Sequence, residues 1–331
     1  MIISRTPFRI SFFGGGTDFP VWYRENGGAV LSTTIDKYCY ISCRLLPPFF
    51  EYRHRFVYSK AEQVDKVDEI VHPAIRETLR FMEIDDGLEL HHDGDLPART
   101  GLASSSAFTV GLTQALYALK GRMVPKKQLA LDAIHIEQNL IRENVGSQDQ
   151  VAVAFGGLNK ISFSGEHDIE VAPVIITREK CRLFQDHLML FFTGFARSAS
   201  KIEEDKIGKV GQNGEILKEM YKMVGESIRI LTEGSLEDFG RMLHENWRLK
   251  KSLSGKVSTN YIDYVYDMAV QNGAVGGKIL GAGGGGFILF FVKPEDHERL
   301  RQALGFLLHV PFKFDFSGSQ IIYYTGNGGA E

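Results

Sequence analysis

The sequence predicts a protein of mixed helices and strands, folded as one large or two modest domains. Residues 2–13 alternate and then become rich in β-branched and aromatic residues, as a strand does. Residues 108–119 and 126–142 instead carry apolar residues at helical spacing. A chain of 331 residues with 44% hydrophobic content can bury well-packed cores of both kinds.

Composition excludes several classes of partner and location. A net charge of -3 and a pI near 6.4 indicate neither nucleic acid nor an anionic membrane as a partner. The three cysteines have neither the spacing of a disulfide framework nor that of a zinc site. The late apolar run Phe287–Val292 is far shorter than the roughly 20 residues of a membrane-spanning helix. We therefore expect a cytoplasmic protein without a membrane anchor, and the sequence leaves a homo-oligomer open.

A glycine-rich turn follows the first predicted strand. It consists of Gly14, Gly15, Gly16, Thr17 and Asp18. Glycine lets the main chain approach a ligand closely, and Asp18 can accept hydrogen bonds from sugar hydroxyls. The alternative is a tight turn in which Asp18 caps the residues that follow. Arg9 lies just upstream on the strand.

The segment 97–107 looks like a phosphate-binding loop. It contains Pro97, Arg99, Gly101, Leu102, Ala103, Ser104, Ser105 and Ser106. Gly101 permits a turn where a Cβ atom would collide, and a helix is predicted to follow over residues 108–119. A phosphate at this place would meet the free N–H groups and the dipole of a helix N-terminus. The alternative is an ordinary serine-capped helix after a glycine turn.

The remaining elements are predicted from apolar periodicity and from turn residues. Strands are expected over residues 29–46, 88–92, 158–163, 188–192, 287–292 and 321–324. Helices are expected in the latter part of 58–82 and over 126–142, 151–155, 198–233, 235–253 and 294–309. Residues 177–186 are the expected crossing between two domains, 1–184 and 185–331.

Two motifs of other protein classes are rejected. Asp238-Phe239-Gly240 spells the magnesium motif of protein kinases, but it lies in a helical pattern without a His-Arg-Asp loop. Gly281, Gly283 and Gly286 match a dinucleotide-binding spacing, but a strand rather than a helix follows them. A Walker-type ATPase is excluded because no Gly-x-x-x-x-Gly-Lys-Ser/Thr occurs.

Three motifs resemble those of the GHMP small-molecule kinases and occur in the same order. The first is Pro7-Phe8-Arg9 with the turn 14–18, the second is the loop 97–107, and the third is the run 278–286. The resemblance implies a two-domain α+β kinase with its active site in the cleft. Its N-terminal domain would hold the phosphate loop in a left-handed β-α-β unit, and its C-terminal domain would be ferredoxin-like. ATP is the implied donor and Mg²⁺ the implied ion.

The same resemblance implies catalytic roles for four residues. Asp149 would be the general base on the acceptor hydroxyl, and Arg9 would stabilise the alkoxide and the transferring phosphoryl group. Ser105 and Glu137 would bind magnesium, which prefers hard oxygen ligands. The alternatives are that Asp149 caps the next helix and that Glu137 is an exposed helix acid.

Further residues are implied to contact the two substrates. The loop 97–106 would bind ATP, and Lys60 would lie near the nucleotide base unless it is an ordinary surface lysine. Ala103 departs from the family, since many members have glycine or serine there. The sugar contacts would be the turn 14–18, Gly281, Ala282, Gly283, Gly284 and Arg197. Arg197, with Lys201 and Arg99, would reach a phosphate already present on the substrate, although solvated helix charge is the alternative.

Within the family, the sequence most resembles the heptose 7-phosphate kinase branch. The resembling segments are Glu69-Ile-x-His-Pro73, Trp247–Lys251 and Arg9 with its Gly-Gly-Gly-Thr-Asp turn. The implied substrate is D-glycero-D-manno-heptose 7-phosphate, phosphorylated at its anomeric hydroxyl for nucleotide-activated heptose and surface polysaccharide. The alternatives are a 1-kinase for fucose, galactose or a related sugar, a binding protein that lost catalysis, and, more distantly, a nicotinamide oxidoreductase.

Overall fold

A computed structural model of the chain describes residues 1–166, 168–194 and 200–325. The strands in these ranges were numbered along the chain. They are β1 (Ile2–Phe13), β2 (Gly28–Leu45), β3 (His54–Val57), β4 (Ala61–Val64), β5 (Leu88–Gly94), β6 (Asn159–Ser164), β7 (Asp168–Pro173), β8 (Leu188–Phe192), β9 (Ala274–Ile279), β10 (Phe287–Val292), β11 (Leu308–His309), β12 (Phe314–Asp315) and β13 (Gln320–Tyr324).

The helices of the described ranges alternate irregularly with these strands. They are α1 (Pro20–Asn26), α2 (Pro73–Phe81), α3 (Ser104–Leu119), α4 (Lys126–His135), α5 (Gln148–Phe155), α6 (Arg178–Asp186), α7 (Ser200–Gly208), α8 (Gly214–Glu233), α9 (Leu236–Ser252), α10 (Asn260–Gln271) and α11 (His297–Ala303). Short 3₁₀ turns occur at Val67–Glu69 and Pro294–Asp296, and a π-helical turn at Ile136–Leu140. None of these helices has both the length and the apolarity needed to cross a membrane.

The strands form two sheets. The first contains nine strands with the path β13-β1-β2-β5-β3-β4, while β12 and β6 also pair with β2, and β7 pairs with β6. The second contains four strands in the order β11-β8-β10-β9. Of the described pairings only that of β3 with β5 is parallel, and the others are antiparallel. The predicted α+β class is confirmed.

Strand β2 pairs with four other strands of the first sheet. One of its edges pairs with β1 along most of its length. The other edge pairs with β6 through residues 28–32, with β12 through residues 34–35, and with β5 through residues 39–45. Because one long strand serves four neighbours, the residues predicted as several strands over 29–46 form a single one.

The helices differ from the predicted ones where tertiary contacts change their ends. Helix α3 begins at Ser104 rather than at residue 108, because Ala103 adopts a left-handed conformation directly before the serines. Helix α4 ends at His135 and passes into the π turn instead of continuing to residue 142. The helix predicted over 294–309 ends at Ala303, because residues 308–309 pair with β8. Residues 177–186, expected as a crossing, form α6 with Thr177 as its N-cap.

An aromatic cluster joins the two sheets. Phe239 of α9 lies 5.6 Å from Phe12 and 5.1 Å from Phe13, both at the end of β1, measured between ring centroids. It also lies 4.7 Å from Phe184 of α6 and 6.2 Å from Phe291 of β10. The Asp238-Phe239-Gly240 triplet is therefore part of a packed helix, as its apolar spacing predicts.

The end of the chain returns to the first sheet. Strand β12 pairs with β2, and β13 pairs with β1, so residues 314–324 complete the sheet that starts at residue 2. The division into 1–184 and 185–331 stays a prediction. The pairing shows that the first sheet is built from both of those ranges.

Candidate active site

One cleft brings the three sequence motifs together. Of the residues predicted from sequence, those that line it are Arg9, Gly15, Gly16, Asp18, Arg99, Gly101, Ala103, Ser104, Ser105, Asp149, Gly281, Ala282 and Gly283. They come from β1, the turn after it, the loop before α3, the start of α5 and the run after β9. Segments far apart in the chain thus surround a single space.

The loop 97–107 has the backbone of an anion-binding site. Arg99, Gly101 and Ala103 have φ angles of 61°, 86° and 64°, so every second residue of the loop has a positive φ. The first backbone hydrogen bond of α3 runs from Ala107 to Ala103. The N–H groups of the three serines at the start of the helix therefore have no helical acceptor, and Ser104 and Ser105 face the cleft. This arrangement fits the phosphates of ATP.

The third motif packs directly against this loop. A Cβ atom added to Gly281 would lie 2.4 Å from the Cα atom of Gly101, and one added to Gly286 would lie 2.3 Å from the carbonyl oxygen of Thr100. The N–H group of Phe287 donates to the same carbonyl at 3.2 Å. Only glycine permits this approach, so the two loops hold each other in place.

We predict that Gly281→Ala destabilises the protein by about 2–4 kcal/mol, since it combines a backbone collision with a positive φ. Urea denaturation would measure this loss, and the KM for ATP should rise because the phosphate loop is displaced. Gly255→Ala is the matched control, because its added Cβ atom meets no heavy atom within 4 Å. Equal stability of the two variants would contradict the packing argument.

Arg9 and Asp149 form a directed ion pair at the loop. The Nε atom of Arg9 donates to Oδ1 of Asp149 at 2.8 Å, and Nη2 donates to the same oxygen. Arg9 is only 3% exposed, and its Nη1 atom donates to the carbonyl oxygen of Gly101 at 3.1 Å. Within the described ranges no donor reaches Oδ2 of Asp149, which leaves that oxygen available to accept a proton. Asp149 lies inside the first turn of α5 rather than at its N-cap, which is Ser147.

The glycine turn presents Asp18 to the same cleft. The N–H group of Gly16 donates to Oδ1 of Asp18 at 2.9 Å, and a Cβ atom on Gly146 would lie 1.9 Å from Oδ2. Burial, with a contribution from the charge of Asp149, raises the pKa of Asp18 to about 6. Gly14 and Thr17 lie beneath the turn, where Thr17 Oγ1 donates to the carbonyl oxygens of Gly14 and Ala29.

The raised pKa of Asp18 predicts a pH dependence of stability. Folding increases the proton affinity of this carboxyl group, so its contribution to stability is greatest below pH 3.8 and is lost as the pH rises through about 6. Asp18→Asn removes the ionisation. Relative to wild type, the ligand-free variant should therefore gain up to about 3 kcal/mol between pH 4 and pH 7. Denaturation curves across this range test the sign, and a difference independent of pH would contradict it.

Glu137 lies in the π turn and is buried. Its Oε2 atom accepts hydrogen bonds from Ser106 Oγ at 3.0 Å and from Gln150 Nε2 at 2.5 Å, whereas Oε1 is buried without a partner. Burial raises the pKa of Glu137 to about 7. The serine bonded to Glu137 is therefore Ser106, while Ser105 faces the cleft. An orphaned, desolvated carboxylate oxygen is a donor of the kind that magnesium takes.

Several predicted site residues lie elsewhere. Lys60 is exposed at the turn between β3 and β4. Arg197 lies outside the described residues, as does the side chain of Lys201. Among described residues, those predicted for the site but absent from the cleft wall are Gly14, Thr17, Lys60, Pro97, Leu102, Ser106, Glu137 and Gly284.

The cleft also contains polar and charged residues to which the sequence had assigned no role. Among them are Ser11, Gln148, Glu203, Lys206, Lys250 and Lys278. Lys250 carried a usable signal, since it continues the buried stripe of α9 formed by Leu243, Asn246 and Trp247. A lysine on the apolar stripe of a helix is rarely buried without a function or a partner. Lys278 begins the third motif, in strand β9, but nothing in the motif indicated that its side chain faces the cleft.

Known proteins are similar to this chain in both sequence and fold. Residues 69–157 match the GHMP kinases N terminal domain, and residues 227–309 match the GHMP kinases C terminal family. The D-glycero-alpha-D-manno-heptose 7-phosphate kinase of Campylobacter jejuni is 30% identical over 320 residues, which cover 92% of this chain and 93% of that protein. The galactokinase of Pyrococcus furiosus is 24% identical, with 99% and 98% covered. A crystal structure of a D-glycero-D-manno-heptose 1-phosphate kinase from Bacteroides thetaiotaomicron has the same fold, with a TM-score of 0.80, 22% identity and coverage of 98% and 100%.

Proposed function

The chain belongs to the GHMP kinase family, and we propose that it transfers the γ-phosphoryl group of ATP to the anomeric hydroxyl of D-glycero-D-manno-heptose 7-phosphate. The observation that carries this proposal is the Arg9–Asp149 pair, which joins a proton acceptor to the phosphate loop. The sugar is inferred from the Campylobacter jejuni relative, which is similar over nearly its whole length.

The donor side of the cleft would hold ATP and magnesium. The triphosphate would meet the N–H groups at the start of α3, and the left-handed residues of the loop turn further N–H groups toward it. Ser105 and Glu137 would hold Mg²⁺ together with the phosphates and water, and this assignment is supported by the buried Oε1 of Glu137, for which the described residues supply no hydrogen-bond donor. The ion would offset the negative charge of the phosphates.

The acceptor side would hold the sugar and take its proton. Asp18, Gly15 and Gly16, which line the cleft, would contact sugar hydroxyls. Asp149 Oδ2 would accept the proton of the reacting hydroxyl as its oxygen bonds to the γ-phosphorus and the bond to the β,γ-bridging oxygen breaks, releasing ADP. Arg9 orients the carboxylate through Oδ1, and its fixed charge stabilises the developing alkoxide. Such a reaction depends mostly on positioning and on charge stabilisation.

Magnesium-dependent release of ADP from ATP tests the proposal directly. The acceptors to compare are D-glycero-D-manno-heptose 7-phosphate, the unphosphorylated heptose, mannose, fucose and galactose. We expect a strong preference for the 7-phosphate. Turnover of an unphosphorylated sugar alone would instead assign the chain to another sugar 1-kinase, and no turnover with any acceptor would favour a binding protein.

A further inference from the structure

Two buried lysines that are far from the phosphate loop in the sequence line the same cleft. Lys250 of α9 is 7% exposed, and Lys278 of β9 is 3% exposed. The Nζ atom of Lys250 donates to the carbonyl oxygens of Ile279 at 2.9 Å and Gly281 at 2.6 Å. The Nζ atom of Lys278 donates to the carbonyl oxygen of Phe12 at 2.6 Å. Both side chains line the cleft.

Neither ammonium group is paired with a carboxylate in the part of the chain that the structure describes, although the charge of Glu203 acts on Lys250. The other buried cations of the cleft are paired with a carboxylate, since Arg9 pairs with Asp149 and Lys206 lies 3.3 Å from Glu203. Over residues 1–166, 168–194 and 200–325, no carboxylate lies within 4.0 Å of either Nζ atom. Two unpaired like charges, buried side by side and close to Arg9, are costly without an anion.

The electrostatics of the pair agree with a missing anion. Burial, together with the charges of Arg9 and Lys206, lowers the pKa of Lys278 to about 7. Burial likewise lowers the pKa of Lys250, and the charge of Lys278 adds to the effect. A bound dianion would remove this repulsion and keep both groups charged.

Holding backbone carbonyls does not by itself explain two charged groups here. A neutral donor would satisfy the carbonyl oxygens of Phe12 and Gly281 at a smaller desolvation cost than an ammonium group. The phosphates of ATP, moreover, already have a proposed binding site at the N-terminus of α3. The unexplained positive charge therefore calls for a second anion in the same cleft.

We propose that Lys250 and Lys278 form the subsite for a phosphate group that the acceptor sugar already carries. This inference rests on the proposed function in one respect, namely that the acceptor is a sugar phosphate. The subsite would make the enzyme selective for phosphorylated acceptors.

The test compares Lys250→Met and Lys278→Met with Lys251→Met. Lys251 is the matched control, because it neighbours Lys250 in the chain but pairs with Asp263 at 3.2 Å outside the cleft wall. We measure kcat/KM for D-glycero-D-manno-heptose 7-phosphate and for the unphosphorylated heptose. The preference for the 7-phosphate should fall about 10- to 100-fold in the two cleft variants and stay unchanged in the control.

The KM for ATP separates the two possible sources of the phosphate. In Lys278→Met it should change by no more than about threefold if the lysines bind the acceptor, because Lys278 donates to the carbonyl oxygen of Phe12 and not to the phosphate loop or to the glycine run packed on that loop. A raised KM for ATP with an unchanged acceptor preference would mean that the lysines bind the donor, and the proposal would be wrong. If neither the acceptor preference nor the KM for ATP changes, the lysines serve only as donors to backbone carbonyl groups, and the proposal is again wrong.

A binding measurement on wild-type protein covers the case in which the methionine variants do not fold. With the donor site filled by a nonhydrolysable ATP analogue, inorganic phosphate should compete with heptose 7-phosphate in calorimetry but not with the unphosphorylated heptose. Absence of that competition overturns the subsite. Wild-type turnover of the 7-phosphate tests the proposed function separately, so the two failures are distinguishable.

Discussion

Asp149→Asn should lower kcat by about 10² to 10⁴, the usual contribution of a positioned general base. The amide keeps the size of the side chain and an oxygen for the Nε atom of Arg9, but it cannot take the proton of the acceptor hydroxyl. The affinity for ATP should remain close to that of wild type, because Asp149 contacts neither the loop backbone nor Glu137 in the described structure. Steady-state kinetics and nucleotide titration measure both quantities.

The outcome decides whether Asp149 serves catalysis or the local structure. Wild-type turnover with ATP still bound would exclude Asp149 as the base. Loss of turnover because the variant is unfolded at the assay temperature would mean that the ion pair with Arg9 serves the fold. Melting curves of the variant are therefore part of the experiment. A lowered Tm is expected because the nearly buried Arg9 loses its counter-ion, but the variant should remain folded at the assay temperature.

Arg9→Gln should lower kcat by about 10² to 10³, since the fixed positive charge beside the carboxylate of Asp149 is lost. The variant also frees Asp149 and removes the donor to the carbonyl oxygen of Gly101. Single-turnover measurement of ADP formation separates this loss of chemistry from slow product release.

Arg5→Gln is the control for that variant. Arg5 lies on the same strand, but its Nη2 atom donates to Gln320 Oε1, away from the cleft. We expect its kcat to remain within about twofold of wild type, as for most substitutions outside a site. If both arginine variants lose activity equally, the effect comes from the strand and not from the charge at Asp149.

Combining the two catalytic substitutions tests whether the pair acts as one unit. If Arg9 works through the carboxylate it orients, the double variant should lose little more than Asp149→Asn alone, because effects within a unit are not additive. Losses that multiply would assign Arg9 an independent role at the transferring phosphoryl group.

Elements whose cause is local could be predicted from the sequence alone. Strands β1 and β10 have the predicted bounds, since a run of β-branched and aromatic residues ends at a glycine cluster in one case and begins after one in the other. The three motifs could be recognised for the same reason: the residues that define each motif lie close together in the chain. The α+β class and the family follow from these segments and their order.

Which of these segments meet, and how charge is balanced where they meet, follows from tertiary contacts that the sequence does not reveal. The return of β12 and β13 to the first sheet depends on pairing across about 280 to 320 residues, which no local pattern encodes. The choice of Ser106 as the partner of Glu137 depends on a π turn. That no carboxylate of the described residues lies within 4.0 Å of the Nζ atoms of Lys250 and Lys278 appears only when the neighbours of both lysines in space are known. Burial and ion pairing are properties of neighbours in space, whereas periodicity and turn chemistry are properties of neighbours in the chain.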